Sequence, residues 1–280
     1  MRTLTAIVVA FVATHAAAQT AAPVAARTAP VPASDLRTLD PENTLVVETT
    51  KGVIVAELTP AAAPAHVARL KELTRAGFYN GLVFHRVIDQ FMAQTGDPQG
   101  TGEGDSELPD LAAEFTFRRG AETPWVPVAA PAGAEVGFVG VLPVMSQPSD
   151  LMAMTATGKV SAWGLYCPGV LGMARGGEPN SANSQFFFMR QPYPSLEKNY
   201  TAFGRVVSGL DVVRALKTGE PVVDPDRMTR VRVLADVPAA ERPVVRVLDP
   251  RGATFRARLD ALRRTKGADF SACDVDLTAP

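Results

Sequence analysis

The sequence predicts a mainly β protein, a closed antiparallel β-barrel capped by two α-helices. Three observations carry that prediction. Short segments of alternating apolar and polar residues recur along much of the chain. Within them, helical periodicity is confined to two stretches that lie far apart. The strand–helix–strand rhythm of a parallel sheet does not occur, and an antiparallel barrel fits what remains.

The elements follow in order. Residues 44–49 set Leu45, Val47 and Thr49 against Val46 and Glu48, turn at Lys51-Gly52 and continue over 53–58, the pattern of a hairpin. Pro64 opens a helix whose apolar positions Val67, Leu70 and Leu73 recur every three residues, and Gly77 closes it. Tyr79 leads into two short strands, 83–88 and 92–95, that end at the Gly96-Asp97 turn. Ser208 is placed to cap a second helix with Leu210, Val213 and Leu216 on one face and Gly219 beyond its end. Residues 228–237 alternate again as the closing strand. A charged helical candidate runs around 255–265.

Composition is that of ordinary globular material: 280 residues, 46% hydrophobic, 20% charged, formal net charge −1. No basic stripe or cluster occurs, so nothing points to a nucleic-acid partner. Met1-Arg2-Thr3, an apolar stretch over 4–13 and Ala16-Ala17-Ala18-Gln19 describe a secretory signal peptide over 1–18. A buried N-terminal strand is the competing reading. The apolar run is shorter than the ~20 residues that span a bilayer. Its removal leaves a mildly acidic chain with no stable membrane insertion, in a periplasmic or secreted location. Residues 19–40, rich in Ala, Pro and Thr, read as an extended linker. Cys167 and Cys273 are the two cysteines. A bridge between them would close a loop of about 106 residues and stabilise by roughly 4 kcal/mol in the chain-entropy model; two unconnected thiols are the alternative.

Several chemistries lack their residues. Outside the leader only His66 and His85 remain, and neither has a partner at metal-ligand spacing. His66, on the first helix, reads as a surface residue. No G-x-S-x-G elbow accompanies His85. Gly100-Thr101-Gly102-Glu103-Gly104 has the look of a phosphate loop but lacks the following Lys-Ser/Thr, and Glu103, Asp105 and Glu107 would repel an anion. It reads as a flexible rim. No metal or cofactor is implied.

What does stand out is residues 84–97, which set one arginine, Arg86, among Phe84, Val87, Ile88, Phe91 and Met92, with an amide at Gln94. A guanidinium in an apolar run costs desolvation unless it has a task. Alternation puts Arg86 and Phe84 on one face, and likewise Met92 and Gln94. Taken alone, the segment also reads as a half-buried sheet with one snorkelling arginine.

Two later blocks shift the balance. Met173-Ala174-Arg175 precedes Ser181-Ala182-Asn183-Ser184-Gln185-Phe186-Phe187, and Tyr200-Thr201-Ala202-Phe203-Gly204-Arg205-Val206 follows. With Phe84-His85-Arg86 and Phe91-Met92-Ala93-Gln94-Thr95-Gly96-Asp97, these resemble the signature of the cyclophilin-type peptidyl-prolyl isomerases, of the bacterial exported type, over residues 43–237. The resemblance implies the capped barrel, an isomerase domain over 41–237 with a long insertion at about 118–168, and a C-terminal extension over 238–280. The insertion carries Trp125, Trp163 and Tyr166, so it is expected to pack on the barrel.

The resemblance also implies roles. Arg86 would be catalytic, accelerating rotation about X-Pro bonds in exported proteins, and the partners would be proline-containing polypeptides. Phe91, Met92, Phe187 and Leu196 would line an apolar slot for the proline ring. Gln94 would grip the substrate backbone, Ala174 and Arg175 would offer main-chain contacts, and Gln185 would support Arg86. Tyr200 stands where many eukaryotic relatives carry histidine. Ser195 stands where tight cyclosporin binders carry tryptophan, which implies weak cyclosporin binding. On periodicity alone Phe91, Met92 and Phe187 also read as core residues, and Gln185 as a structural amide. A catalytically weak peptide-binding chaperone of the cell envelope, or an envelope scaffold built on the insertion, are the competing functions.

Overall fold

The computed structural model describes residues 31–278. The expected signal peptide, 1–18, and the first part of the expected linker lie outside the described residues. Strands β1 (Leu36–Thr38), β2 (Thr44–Thr49) and β3 (Gly52–Leu58) precede helix α1 (Pro64–Arg75). Two short strands follow, β4 (Arg86–Val87) and β5 (Met92–Thr95). Next come β6 (Phe117–Arg119), β7 (Trp125–Ala129), β8 (Glu135–Val139), β9 (Leu142–Ser146) and β10 (Val160–Gly164). The chain continues through β11 (Val170–Arg175), β12 (Ala182–Met189), β13 (Ala202–Ser208), α2 (Leu210–Ala215) and β14 (Met228–Val233). It closes with β15 (Arg246–Leu248) and α3 (Ala253–Lys266).

Eight strands form one antiparallel sheet in the order β14-β2-β3-β13-β11-β12-β5-β4. Its two edges meet through single pairs, Val83 with Arg227 and Val87 with Gly219. Phe84 N–H donates to the Asp226 carbonyl at 2.8 Å, and Met228 N–H to that of Leu82 at 2.8 Å. The sheet therefore curls onto itself through isolated bridges rather than a continuous ladder. Leu45, Ile54, Phe84, Phe186, Phe188 and Phe203 pack inside it. Helix α1 adds Val67, Leu70 and Leu73 to that core, as its period predicts, and α2 adds Val213.

A second apolar core lies on the outer face. The expected insertion is a five-stranded antiparallel sheet in the order β6-β10-β9-β8-β7. Its Phe138 and Val144 share one cluster with Phe187 of the barrel and with Phe255, Leu259 and Val275 of the C-terminal segment. A disulfide joins Cys167 to Cys273, tying the end of the inserted segment to the extension.

Four expectations need correction. The linker reading of 19–40 fails at its C-terminal end: β1 pairs antiparallel with β15, Leu36 opposite Leu248, and Leu39 is buried. Local composition cannot register a strand partner some 210 positions away. The second helix begins after Gly209, not Ser208, because Ser208 is still the last residue of β13. Gly209 takes φ +87°, and a Cβ there would come within 2.3 Å of the Val53 carbonyl oxygen, so the chain leaves the strand at the glycine. The arginine strand is two residues long instead of six, since 82–84 bond to the edge before β14 rather than to β5; the alternation is broken there, so Phe84 packs in the interior and does not share the outer face of Arg86. His66 is fully buried, not at the surface: its Nδ1 lies 2.7 Å from Glu114 Oε2, a partner 48 positions away.

Candidate active site

Strand pairing lines up the expected site residues. Arg86 of β4 stands opposite Gln94 of β5, Gln94 stands opposite Phe187 of β12, and Phe187 stands opposite Gly172 of β11. Directly opposed residues point to the same face, so the four form one row across the barrel's outer surface. Their sequence neighbours Val87, Ala93, Phe186 and Phe188 belong to the interior core, as period-2 alternation requires. Met92 and Gln185, two residues from Gln94 and Phe187, share the outer face.

A chain of amides runs along this row. Arg86 Nη1 donates to Gln94 Oε1 at 3.5 Å, and Gln94 Nε2 donates to Gln185 Oε1 at 2.8 Å. Gln185 Nε2 in turn donates to the carbonyls of Gly102 and Gly104, at 3.0 and 2.9 Å. Gln185 thus reaches Arg86 only through Gln94. The 100–104 rim is pinned rather than flexible. Asp97 is fully buried, and its carboxylate accepts from the N–H groups of Gln99, Thr101 and Gly102. Burial alone would raise the Asp97 pKa, but these backbone donors outweigh it and hold the group below the usual carboxylate range.

The residues expected to line an apolar slot lie beside the row. Phe187 stacks on Tyr166, with ring centroids 6.0 Å apart, and meets Tyr200 edge-on at 6.1 Å. Gly172 makes room for this: a Cβ there would lie 2.4 Å from Phe187 Cζ and 2.8 Å from Tyr166 Cε1. Phe91, half-buried, packs on Tyr193 at 4.3 Å, and Leu196 is buried in the same apolar cluster. Met92 is 1% exposed and Phe187 4%, so both are buried, whereas Arg86 is 35% exposed. The β11–β12 register shifts between Met173 and Arg175, which takes Ala174 out of regular pairing. The Arg175 guanidinium lies 4.6 Å over the Tyr200 ring and donates to the Asn199 carbonyl at 3.0 Å.

Sequence reasoning missed four participants. Tyr166 backs Phe187 from the inserted segment, and burial pushes its hydroxyl well above the ordinary tyrosine range. Trp163 of β10 carries Lys198 Nζ 3.6 Å over its ring, so the inserted sheet braces the 196–200 turn. His85 is buried with neither ring nitrogen hydrogen-bonded among the described residues. Glu220 Oε1 accepts from Arg86 Nε at 2.5 Å. No local pattern flags Glu220, because it sits in an irregular segment 134 positions from its partner. Among the described residues no group of three His, Cys, Asp or Glu side chains is placed to hold a metal. A cavity of about 770 Å³ lined by Arg205, Arg246 and Val275 shares no residue with the row, so the site is defined by alignment rather than by volume.

Comparison with known proteins agrees with this geometry. The family model for cyclophilin type peptidyl-prolyl cis-trans isomerases matches residues 44–235. A probable peptidyl-prolyl cis-trans isomerase of Brucella suis is 36% identical over 213 residues, covering 70% of this chain and 85% of the relative. The corresponding protein of Brucella abortus is 35% identical over 213 residues. The crystal structure of the cyclophilin AquaCyp293 from Hirschia baltica superposes with a TM-score of 0.80 at 35% identity, covering 87% of this chain and 92% of that one. The chain belongs to the cyclophilin-type peptidyl-prolyl cis-trans isomerase family.

Proposed function

We propose that this protein accelerates cis–trans rotation about X-Pro bonds in exported polypeptides, with Arg86 stabilising the transition state beside an apolar slot. The row of Arg86, Gln94 and Phe187 across three strands is the observation that carries the reading. The barrier to rotation, about 18–20 kcal/mol, is amide resonance. As the prolyl nitrogen pyramidalises it acquires a lone pair, and a guanidinium N–H can bond to that lone pair only then. The interaction is therefore made in the transition state and not in the ground state. A charge-assisted hydrogen bond contributes about 1.5–3 kcal/mol, which is roughly 10- to 150-fold in rate. The slot formed by Phe91, Met92, Phe187 and Leu196 supplies the rest by holding the ring in place and excluding water while the acyl side turns. Gln94 and the irregular backbone at Ala174 and Arg175 hold the substrate chain.

Export to a periplasmic or extracellular compartment is part of the proposal. The leader composition and the Cys167–Cys273 bridge support it, since disulfides persist where the surroundings are oxidising. Weak cyclosporin binding also belongs to it: Ser195 is exposed beside Leu196 and offers no indole. Inhibition of the purified protein is expected only at micromolar drug or above, and sub-micromolar inhibition would contradict this.

Isomerisation rate and peptide affinity, measured for wild type and Arg86→Ala, test the function. The variant should lose 10- to 150-fold in rate, about 1.5–3 kcal/mol, with affinity nearly unchanged. Equal peptide binding by both proteins without any catalysed exchange would instead identify a peptide-binding chaperone.

A further inference from the structure

We infer that Glu220 is a positioning residue for Arg86, an inference that rests on the catalytic role proposed for that arginine. The carboxylate takes the Arg86 Nε–H at 2.5 Å, whereas Gln94, the other partner of the guanidinium, is 3.5 Å from Nη1. The firmer of the two anchors is thus the one outside the expected site. Backbone pairing holds it there. Val87 N–H donates to the Gly219 carbonyl at 2.9 Å, Gly219 N–H returns a bond to Val87 at 2.8 Å, and Val222 N–H donates to His85 at 3.0 Å. Residues 219–222 therefore run along β4 as an added edge, with Glu220 beside Arg86.

The pair does little for stability, because the two side chains are 35% and 56% exposed and exposed ion pairs contribute little. Its consequence is geometric. With Nε committed to the carboxylate, the planar fork is fixed about its stem, and Nη2, which has no hydrogen-bond partner among the described residues, is left to donate elsewhere. An arginine already ordered need not be immobilised when the prolyl nitrogen pyramidalises. Removing the carboxylate also leaves the positive charge of the guanidinium unneutralised, an effect of opposite sign. The geometry points to orientation as the larger one, since Gln94 alone holds the group only loosely.

Rates and KM on an X-Pro peptide, with thermal midpoints, are measured on the full chain for wild type, Glu220→Ala, Glu220→Gln, Arg86→Ala and the Arg86→Ala/Glu220→Ala double variant. Glu220→Ala should lower kcat roughly tenfold at unchanged KM and midpoint. Glu220→Gln, which keeps an oxygen acceptor for Nε, should recover most of that rate. In the Arg86→Ala background Glu220→Ala should cost nothing further. A Glu220→Ala protein as fast as wild type or faster, a glutamine variant as slow as the alanine one, or an equal loss with and without Arg86 would overturn the inference. A wild type with no activity would instead remove the function on which it rests.

Discussion

Arg86, Gln94 and Phe187 stand side by side on the outer face, and the residue next to Arg86 in sequence has a different task. His85 is buried with both ring nitrogens unbonded among the described residues. Burial, which outweighs the attraction of Asp97, holds its pKa below the ordinary 6.5. The unfolded chain therefore binds this proton more readily than the folded one. Stability that is complete above pH 6.5 is lost as pH falls from 6.5 towards the lowered folded value. His85→Phe removes the titrating group, so urea midpoints recorded between about pH 7 and pH 5 should fall less for the variant than for wild type. Parallel curves would contradict the assignment. Arg86 was legible in the sequence because a charge in an apolar run asks for an explanation. Glu220 and Tyr166 were not, since each matters only through a partner that the fold brings in from elsewhere.

Among the elements, those governed by local pattern are the ones the sequence showed well. β5 occupies residues 92–95 as its alternation implied, α1 starts at Pro64, and α3 covers the charged candidate near 255–265. β1 and β4 were misjudged because their partners, β15 and the 219–227 edge, are distant in sequence. The inserted sheet and the C-terminal segment meet at Cys167–Cys273, and Cys167 directly follows Tyr166, the ring that backs Phe187. The bridge closes a loop of 106 residues. Reducing it should lower unfolding free energy by about 2–4 kcal/mol, because the reduced unfolded chain regains loop entropy. Denaturant midpoints with and without reductant check this, and an unchanged midpoint would show that the additions hold together without the covalent tie.

At the scale of the molecule, two cores divide the work. The interior core of Phe84, Phe186, Phe188 and Phe203 sets the curl of the sheet. The outer core of Phe138, Tyr166, Phe187 and Phe255 fastens the added sheet and the C-terminal helix against the site. Phe187 and Met92 belong to that outer core, as periodicity alone implied, and the proposed role in ring binding falls on residues that also hold the added sheet. Family motifs implied the barrel, and the aromatic content of the insertion implied that it packs on the barrel, as it does. The row and the strand order of the inserted sheet depend on pairings that no local motif describes. The account as a whole stands on catalysed rotation by Arg86, and NMR exchange spectroscopy on an X-Pro peptide tests it most directly. Wild-type protein should raise the cis–trans exchange rate well above the spontaneous one, and Arg86→Ala should give back 10- to 150-fold of the gain. Exchange at the spontaneous rate with wild type, or an Arg86→Ala protein that catalyses as fast as wild type, would contradict it.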